Sequence, residues 1–267
     1  MFKDDRLPVR IAMWCLSAIL VSGPAAGVET IELKPAESWP LHAETHHVQG
    51  LSVSERWFWV SGVDRRRHEG WIFRFDRRTG LVAAKQRLAD GRRYHPGGLQ
   101  CRDGKLWLPL AEYRPRSTSR LLRLDAISLE QEHGFPVEDH LGGVAVDDRG
   151  ILYAANWDTR TIYRFDQQGK LLGQTNNPTG VAYQDFEWHA GRLYAAGRDP
   201  RDGDVVDVID PDRWRLVRRY RLSGELRSGG GHFAREGFCK FGDSFYLLPE
   251  DGPRSVVYRF PLKTKEP

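Results

Sequence analysis

The sequence has few cysteines, few methionines and no hydrophobic run long enough to cross a membrane. Only three cysteines and two methionines occur in 267 residues, which excludes a cysteine-rich disulfide scaffold. The sequence also lacks a glycine-rich phosphate loop, a nucleophile elbow, a His-Glu-x-x-His pair and a Cys-x-x-Cys pair. Enzyme classes that depend on those motifs are therefore not expected.

An excess of charge of one sign is also absent. Forty Lys and Arg residues against 36 Asp and Glu residues give a formal net charge of +4. Arginine clusters such as Arg65-Arg66-Arg67 and Arg92-Arg93 fall at predicted turns. They indicate either a surface for a polyanion or ordinary solvated loops. No basic and aromatic nucleic-acid module is present, so we expect no nucleic-acid partner.

The first 27 residues have the pattern of a secretory signal peptide. Three basic residues precede an apolar run from Ile11 to Val21, and small residues follow it. The alternative, a transmembrane anchor, needs about 20 apolar residues. We therefore predict a signal peptide over 1–27, one domain over 28–267, a periplasmic or secreted location and no membrane span. Of the cysteines that remain, Cys101 and Cys239, we predict that both are free, buried thiols.

Self-similarity at a fixed period determines the predicted fold. A short strand after a turn, a strand of the type Leu-Tyr-Ala-Ala and a strand ending in Arg-Phe-Asp recur five times in that order. The second of these strands has copies at 58–61, 106–109, 152–155, 193–196 and 245–248. Five units of about 40 to 50 residues predict an all-β fold, a five-bladed β-propeller. A β-sandwich is the alternative, but it would not require this repeat.

The last repeat has no outer strand, whereas an extended segment precedes the first repeat. A ring of sheets leaves an exposed edge unless its ends meet. We therefore predict that Ile31-Glu32-Leu33 pairs with the final blade and closes the ring. The chain is expected to be a monomer.

A histidine column identifies the candidate site. His47, His95 and His140 lie three residues before the turn glycine in three consecutive blades, a register that directs them toward the mouth of the central channel. Converging neutral imidazoles could bind zinc or another divalent metal, and one could act as a general base. Alternatively, each histidine caps the turn of its own blade by a local hydrogen bond.

Acidic and amide residues interrupt the repeat near the same mouth. Gln49 and Glu236 occupy one equivalent position in blades one and five. Glu236 is a candidate catalytic acid or base, or else the partner of Arg235. Asp185 replaces the glycine of the other blades and, with Glu187, lies on the inner strand of blade four. We expect Asp185 to line the channel.

The longer loops on this face supply candidate ligand-binding residues. Tyr113 and Arg114 lie in the richest loop, and Arg114 suits a carboxylate or phosphate. Trp157 could stack on a sugar or an aromatic ligand, and Arg198 lies on the same face. An acidic residue also recurs in every blade, at Asp64, Glu112, Asp158, Asp199 and Asp251. These acids could bind calcium, or each could accept backbone N–H bonds in its own loop.

Two resemblances follow from longer motifs. The segment Tyr94-His95-Pro96-Gly97-Gly98 followed by Leu106 to Pro115 resembles a family of uncharacterised exported bacterial propeller-like proteins. More distantly, Val48-Gln49-Gly50-Leu51 and Gln184 to Trp188 are similar to the glutamine cyclotransferase family. That resemblance implies a five-bladed propeller that cyclises N-terminal glutamine with loss of ammonia, with Gln49 and Glu187 as its site positions. Blade two differs from that family, because Gly97 stands where an acidic residue is expected.

Two classes of function are consistent with these observations. The first is a propeller that binds a small ligand at the histidine-rich mouth, with or without a divalent metal (zinc or calcium), as a hydrolase or transferase. Its candidate residues are His47, His95, His140, Gln49, Asp185 and Glu236. The second is a non-catalytic module that binds a protein or glycan through its loops. Fold alone does not choose between these classes.

Overall fold

The computed structural model describes residues 28–229 and 231–262. The predicted signal peptide and Cys15 lie outside the described residues. Among the described residues, no helix is long and apolar enough to cross a bilayer. The described chain contains 22 strands and two short 3-10 helices, Phe233–Arg235 and Gly252–Arg254.

The strands form five small sheets, antiparallel except for one N-terminal strand, and these sheets are the five blades of a β-propeller. Two strands precede the first blade: β1 (Thr30–Leu33) and β2 (Glu37–Pro40). Blade one contains β3 (His47–Val53), β4 (Trp57–Asp64), β5 (Glu69–Asp76) and β6 (Val82–Leu88). Blade two contains β7 (Arg93–Pro96), β8 (Gln100–Arg102), β9 (Lys105–Glu112), β10 (Ser119–Asp125) and β11 (Gln131–Val137). Blade three contains β12 (Leu141–Val146), β13 (Leu152–Asn156), β14 (Thr161–Phe165) and β15 (Leu171–Asn176).

The remaining two blades complete the ring. Blade four contains β16 (Ala182–His189), β17 (Arg192–Asp199), β18 (Gly203–Asp210) and β19 (Arg215–Leu222). Blade five contains β20 (Gly237–Phe241), β21 (Ser244–Leu248) and β22 (Val256–Pro261). The predicted five-bladed architecture is therefore confirmed.

An N-terminal strand closes the ring, but it is not the predicted one. Strand β2 pairs with β22 and supplies the outer strand of blade five. The predicted closing segment, Ile31-Glu32-Leu33, instead lies in β1, which pairs in parallel with β19 on blade four. Trp39 of β2 packs on Phe58 and Tyr246, with ring centroids 5.9 and 6.1 Å apart. This aromatic packing on both sides of the blade-five and blade-one junction explains why the later strand closes the ring.

Five apolar clusters form the core, and each lies between two neighbouring blades. The alternation within each strand accounts for this arrangement, because successive side chains point to opposite faces of a sheet. Phe75, for example, is fully buried between blades one and five. Cys101 and Cys239 are both free, as predicted, but only Cys239 is buried and Cys101 is partly exposed.

The inner strands approach one another closely around Asp185. A Cβ atom on Gly98 would lie 2.1 Å from Asp185 Oδ1, so the glycine of blade two leaves room for this side chain. Asp185 is fully buried. Its carboxylate accepts N–H bonds from Leu51 at 3.1 Å, Phe238 at 3.0 Å and Phe186 at 2.8 Å. Asp185 thereby connects the inner strands of blades four, one and five.

Candidate functional site

A cavity of about 310 Å³ opens where the inner strands begin, at one mouth of the channel. All five blades contribute to it. Its lining residues are His47, Gln49, His95, Tyr113, His140, Gly142, Trp157, Tyr183, Gln184, Arg235 and Glu236. The cavity thus brings together the three predicted histidines, Gln49, Glu236, Tyr113 and Trp157.

β-bulges in the inner strands position residues at this mouth. The register shifts between Val48 and Gly50, Arg93 and His95, Leu141 and Gly143, and Tyr183 and Asp185. Three of the four extra residues, Gln49, Gly142 and Gln184, line the cavity. A bulge leaves one residue without a ladder partner and redirects its side chain, which is why bulges are frequent beside active sites.

Glu236 provides the cavity with a buried carboxyl group. Its exposure is 6%, and burial, followed by the negative charge of Asp251, raises the pKa of Glu236 to about 8. Arg235 Nε lies 3.2 Å from Glu236 Oε1, and Gln49 Nε2 donates to Glu236 Oε2 at 3.5 Å. Glu236 therefore keeps its proton at neutral pH, yet it has groups nearby that would stabilise its carboxylate.

His47 is oriented by Asp251 rather than by its own turn. Its Nδ1 lies 3.1 Å from both carboxylate oxygens of Asp251, which also accepts the N–H of Val48. Burial opposes ionisation of Asp251, but the hydrogen bond and charge of His47 lower its pKa below the usual value. With Nδ1 donating to Asp251, Nε2 of His47 faces Glu236 Oε1 at 3.9 Å.

The ligand atoms of His47, Glu236 and Asp251 lie within 4.8 Å of one another, close enough to hold a metal ion. Within the described ranges, no other group of three His, Cys, Asp or Glu side chains meets that condition. The predicted set of His47, His95 and His140 is therefore not the set whose ligand atoms come together. The physical reason is that His95 and His140 are each held by a different hydrogen-bond partner.

The partner of His95 is Gln49. The Gln49 amide nitrogen donates to the carbonyl of Val48 at 2.8 Å, which leaves the amide oxygen to accept from His95 Nε2 at 2.8 Å. His95 Nδ1 is consequently the unprotonated nitrogen, and it has no hydrogen-bond partner in the part of the chain that the structure describes. Burial, with the neighbouring charges of His140 and His47, holds the pKa of His95 well below its usual value.

His140 is held by the loop of blade two. Its Nδ1 donates to the carbonyl of Arg114 at 2.9 Å, so Nε2 is the unprotonated nitrogen of the neutral ring. Burial lowers the pKa of His140 to about 4. The rings of His95 and His140 lie 5.3 Å apart, and both are neutral at physiological pH.

Tyr113 and Trp157 form an aromatic wall beside these histidines. The Tyr113 ring lies 4.4 Å from His95, and the Trp157 ring lies 4.4 Å from His140. The two aromatic rings are 6.3 Å apart and perpendicular. Because Trp157 remains 41% exposed, this wall offers a face on which a planar ligand could stack.

Four of the predicted site residues do not line the cavity. Asp185 and Glu187 are buried on the inner strand of blade four, and burial raises the pKa of both groups. Arg114 lies 2.9 Å from Glu112 and is engaged in that ion pair. Arg198 is exposed on β17.

Sequence reasoning missed four lining residues: Gly142, Tyr183, Gln184 and Arg235. Gly142 and Gln184 share the register position of Gln49 and Glu236, so the repeat alignment contained the signal that places them. Asp251 was included only among the recurring acids. Two of those acids, Asp64 and Asp199, accept backbone N–H bonds in their own loops, whereas Asp251 reaches His47.

Two further cavities adjoin the mouth. One of about 440 Å³ includes Arg235, Asp251 and Arg254 in its lining. The other, of about 540 Å³, includes His47, Asp251 and Arg65. The first shares Arg235 with the mouth cavity, the second shares His47 with it, and Asp251 lines both of these further cavities.

Residues 30–186 match a family described as a family of unknown function, DUF6454. The chain belongs to the DUF6454 family. The matched segment of this DUF6454 protein contains His47, Gln49, His95, His140 and Trp157, and it ends before Glu236 and Asp251. No curated protein matches the chain in sequence.

Solved structures similar to the DUF6454 protein share its fold. The glutaminyl cyclase of Myxococcus xanthus has a TM-score of 0.66 at 17% identity, covering 88% of this chain and 100% of that one. A gluconolactonase from Xanthomonas campestris has a TM-score of 0.50 at 15% identity, covering 86% and 97%. A luciferin-regenerating enzyme has a TM-score of 0.51 at 14% identity, covering 80% and 76%. The predicted membership of an uncharacterised family and the distant likeness to glutaminyl cyclases are confirmed.

Proposed function

We propose that this DUF6454 protein is an enzyme that binds a small ligand in the mouth cavity and uses Glu236 as a general acid and base. The reaction would be a hydrolysis or a group transfer. The observation that supports this function is the pKa of about 8 of a carboxyl group in the cavity wall. A catalytic group is most effective when its pKa lies near the working pH, because both protonation states are then accessible.

Each residue around Glu236 has a role in the proposed proton transfer. Protonated Glu236 donates its proton to the oxygen or nitrogen of the departing group. The resulting carboxylate is stabilised by Arg235, 3.2 Å away, and by the amide of Gln49. His47, oriented by Asp251, presents Nε2 at 3.9 Å from Glu236 and can exchange a proton with it, since apo distances of this kind tighten on ligand binding.

The test is a screen of esters, lactones, glycosides and glutaminyl peptides, followed by substitution of Glu236. We expect Glu236→Gln to lower kcat/KM by about 10²- to 10⁴-fold, the contribution of a positioned proton donor. Because the acid form is required, activity should fall as the pH rises through about 8. The matched control, Glu225→Gln, changes an exposed glutamate nearby and should leave the rate unchanged.

Two results would contradict the proposal. A Glu236→Gln enzyme with the wild-type rate would remove Glu236 from the mechanism. Inactivity of the folded wild-type protein throughout the screen would instead favour a non-catalytic propeller that binds a protein or glycan.

Glutaminyl cyclisation is a specific form of this chemistry, and the resemblance of Val48-Gln49-Gly50-Leu51 to the glutamine cyclotransferase family supports it. Gln49 lines the cavity beside Glu236, and their side chains are hydrogen-bonded. In the reaction, the α-amine nitrogen bonds to the γ-carboxamide carbon, the bond to the amide nitrogen breaks, and ammonia leaves. Glu236 would move the proton from the attacking amine to the leaving nitrogen. Ammonia release from a glutaminyl peptide in the screen measures this reaction.

A metal-dependent form of the site is the second candidate. His47, Glu236 and Asp251 present nitrogen and oxygen donors that suit zinc, and the carboxylates also suit calcium. Elemental analysis should find zinc or calcium in the purified protein, lost in His47→Ala and retained in His42→Ala, which changes an exposed histidine. Absence of metal from the wild-type protein would remove this candidate and leave the acid–base proposal in place.

A further inference from the structure

Two arginines lie at this mouth, one in the mouth cavity and one in the adjoining cavity that shares His47 with it. Arg235 lines the cavity itself, and its Nη2 lies 3.7 Å from Asp251 Oδ2. The guanidinium carbon of Arg65 lies 5.6 Å from the ring centroid of Tyr113, which also lines the cavity. Arg65 has no carboxylate partner within 4.0 Å among residues 28–229 and 231–262. One guanidinium at this mouth is thus available to a ligand.

The acidic groups of the mouth are engaged with partners other than Arg65. Glu236 Oε1 lies 3.2 Å from Arg235 Nε. Asp251 is bonded to His47 and to the N–H of Val48, and one of its oxygens lies 3.7 Å from Arg235. The positive charge of Arg65 also reaches the cavity, because it contributes to lowering the pKa of both His95 and Glu236. The mouth therefore favours a ligand of negative charge.

The aromatic wall formed by Tyr113 and Trp157 favours a ligand that also has a planar or apolar part. Tyr113 lies under Arg65 and is perpendicular to Trp157. A ligand with a planar or apolar part could contact both rings while its charged end reaches Arg65 and Arg235. Planar carboxylates match the fork of a guanidinium group by two parallel hydrogen bonds.

We propose that the ligand of the mouth cavity is a small carboxylate, whose anionic group binds Arg65 and Arg235 and whose planar or apolar part packs on Tyr113 and Trp157. This inference concerns the cavity of the proposed function and specifies its ligand class. Binding of a carboxylate does not require Glu236 to be catalytic, so the ligand class and the catalytic role of Glu236 can be tested independently.

The test compares three probes of similar size: phenylacetate, its neutral analogue phenylacetamide, and the cation phenethylamine. Binding is measured by ligand-observed NMR and calorimetry at neutral pH. We expect phenylacetate to bind about tenfold more tightly than phenylacetamide, the effect of one charge-assisted hydrogen bond. Phenethylamine should bind more weakly than either.

Matched variants locate the anion site. Arg65→Gln should reduce the affinity for phenylacetate to that for phenylacetamide. Arg66→Gln removes the same charge from the neighbouring exposed residue and should retain the preference. Phenylacetate binding by a folded wild-type protein that is inactive throughout the activity screen would support the ligand class by itself.

Three outcomes would overturn the inference. The first is binding of phenylacetamide or phenethylamine as tightly as phenylacetate. The second is an equal loss of affinity in Arg65→Gln and Arg66→Gln, which would indicate a general charge effect. The third is absence of binding by all three probes to the folded protein.

Discussion

At the scale of single residues, the departure of Asp185 from the repeat has an architectural consequence. The sequence pattern predicts a side chain that lines the channel, and the structure buries Asp185 completely among the inner strands. Its oxygens are nevertheless occupied by N–H groups of Leu51, Phe186 and Phe238. A carboxylate that satisfies three buried amides contributes to joining the blades, since each unpaired buried N–H would cost about 1–3 kcal/mol.

Gly97 shows why blade two lacks an acidic residue at the register position of Glu236. A Cβ atom at Gly97 would lie 2.2 Å from the carbonyl oxygen of Gly142, a backbone atom that cannot move aside. We predict that Gly97→Ala destabilises the fold by about 1–3 kcal/mol, the usual cost of overpacking. Urea unfolding measures the change.

Gly142→Ala is the matched control, because a Cβ atom there would have its nearest neighbour, Asn156 O, at 3.6 Å. The free energy of unfolding of this variant should stay within about 1 kcal/mol of the wild-type value. Equal destabilisation by the two substitutions would show that contact between blades two and three does not determine the glycine at position 97.

At the scale of strands, bulges determine which side chains reach the mouth. The alternation of buried and exposed residues predicts the strands themselves, because it follows from the two-residue period of a β-strand. It does not predict that Gln49, Gly142 and Gln184 are the extra residues of bulges, because a bulge changes the side to which a residue points without changing the apolar pattern. The repeat alignment gives these three residues one register position, but the direction in which Gln49 and Gln184 point depends on the local backbone geometry of the bulge.

The pairing of the two N-terminal strands is a second feature that the sequence does not determine, and it can be tested by truncation. Both are short and extended, and the sequence does not determine which free edge each one joins. We predict that a chain lacking residues 1–41, and thus β1 and β2, melts at a much lower temperature than one lacking residues 1–34, which keeps β2. The reason is that only β2 completes blade five. Thermal unfolding followed by circular dichroism measures the difference.

A chain lacking residues 1–27 serves as the reference for both truncations. Similar melting temperatures for the 1–34 and 1–41 deletions would contradict a closing role for β2. Loss of all stability on removal of β1 alone would assign that role to its pairing with blade four.

At the scale of the whole molecule, rotational repetition explains what the sequence could predict. Equivalent positions of successive blades face one axis, which explains why the histidine column and the position of Gln49 and Glu236 line one cavity. Rotational repetition does not predict contacts between residues at different positions of the repeat. The contact of His47 with Asp251 joins an inner strand to a loop 204 residues away, and it depends on how blade five is rotated against blade one.

Ring closure also determines the order in which the protein can fold. Strands β1 and β2 are made early, but their partners β19 and β22 lie near the other end of the chain. Contacts between residues so far apart in the sequence form slowly, because the entropy cost of closing the intervening loop comes before the contacts stabilise the fold. Blade five is therefore the last to be completed, and the unpaired edge of β22 remains open to association with other chains until β2 reaches it.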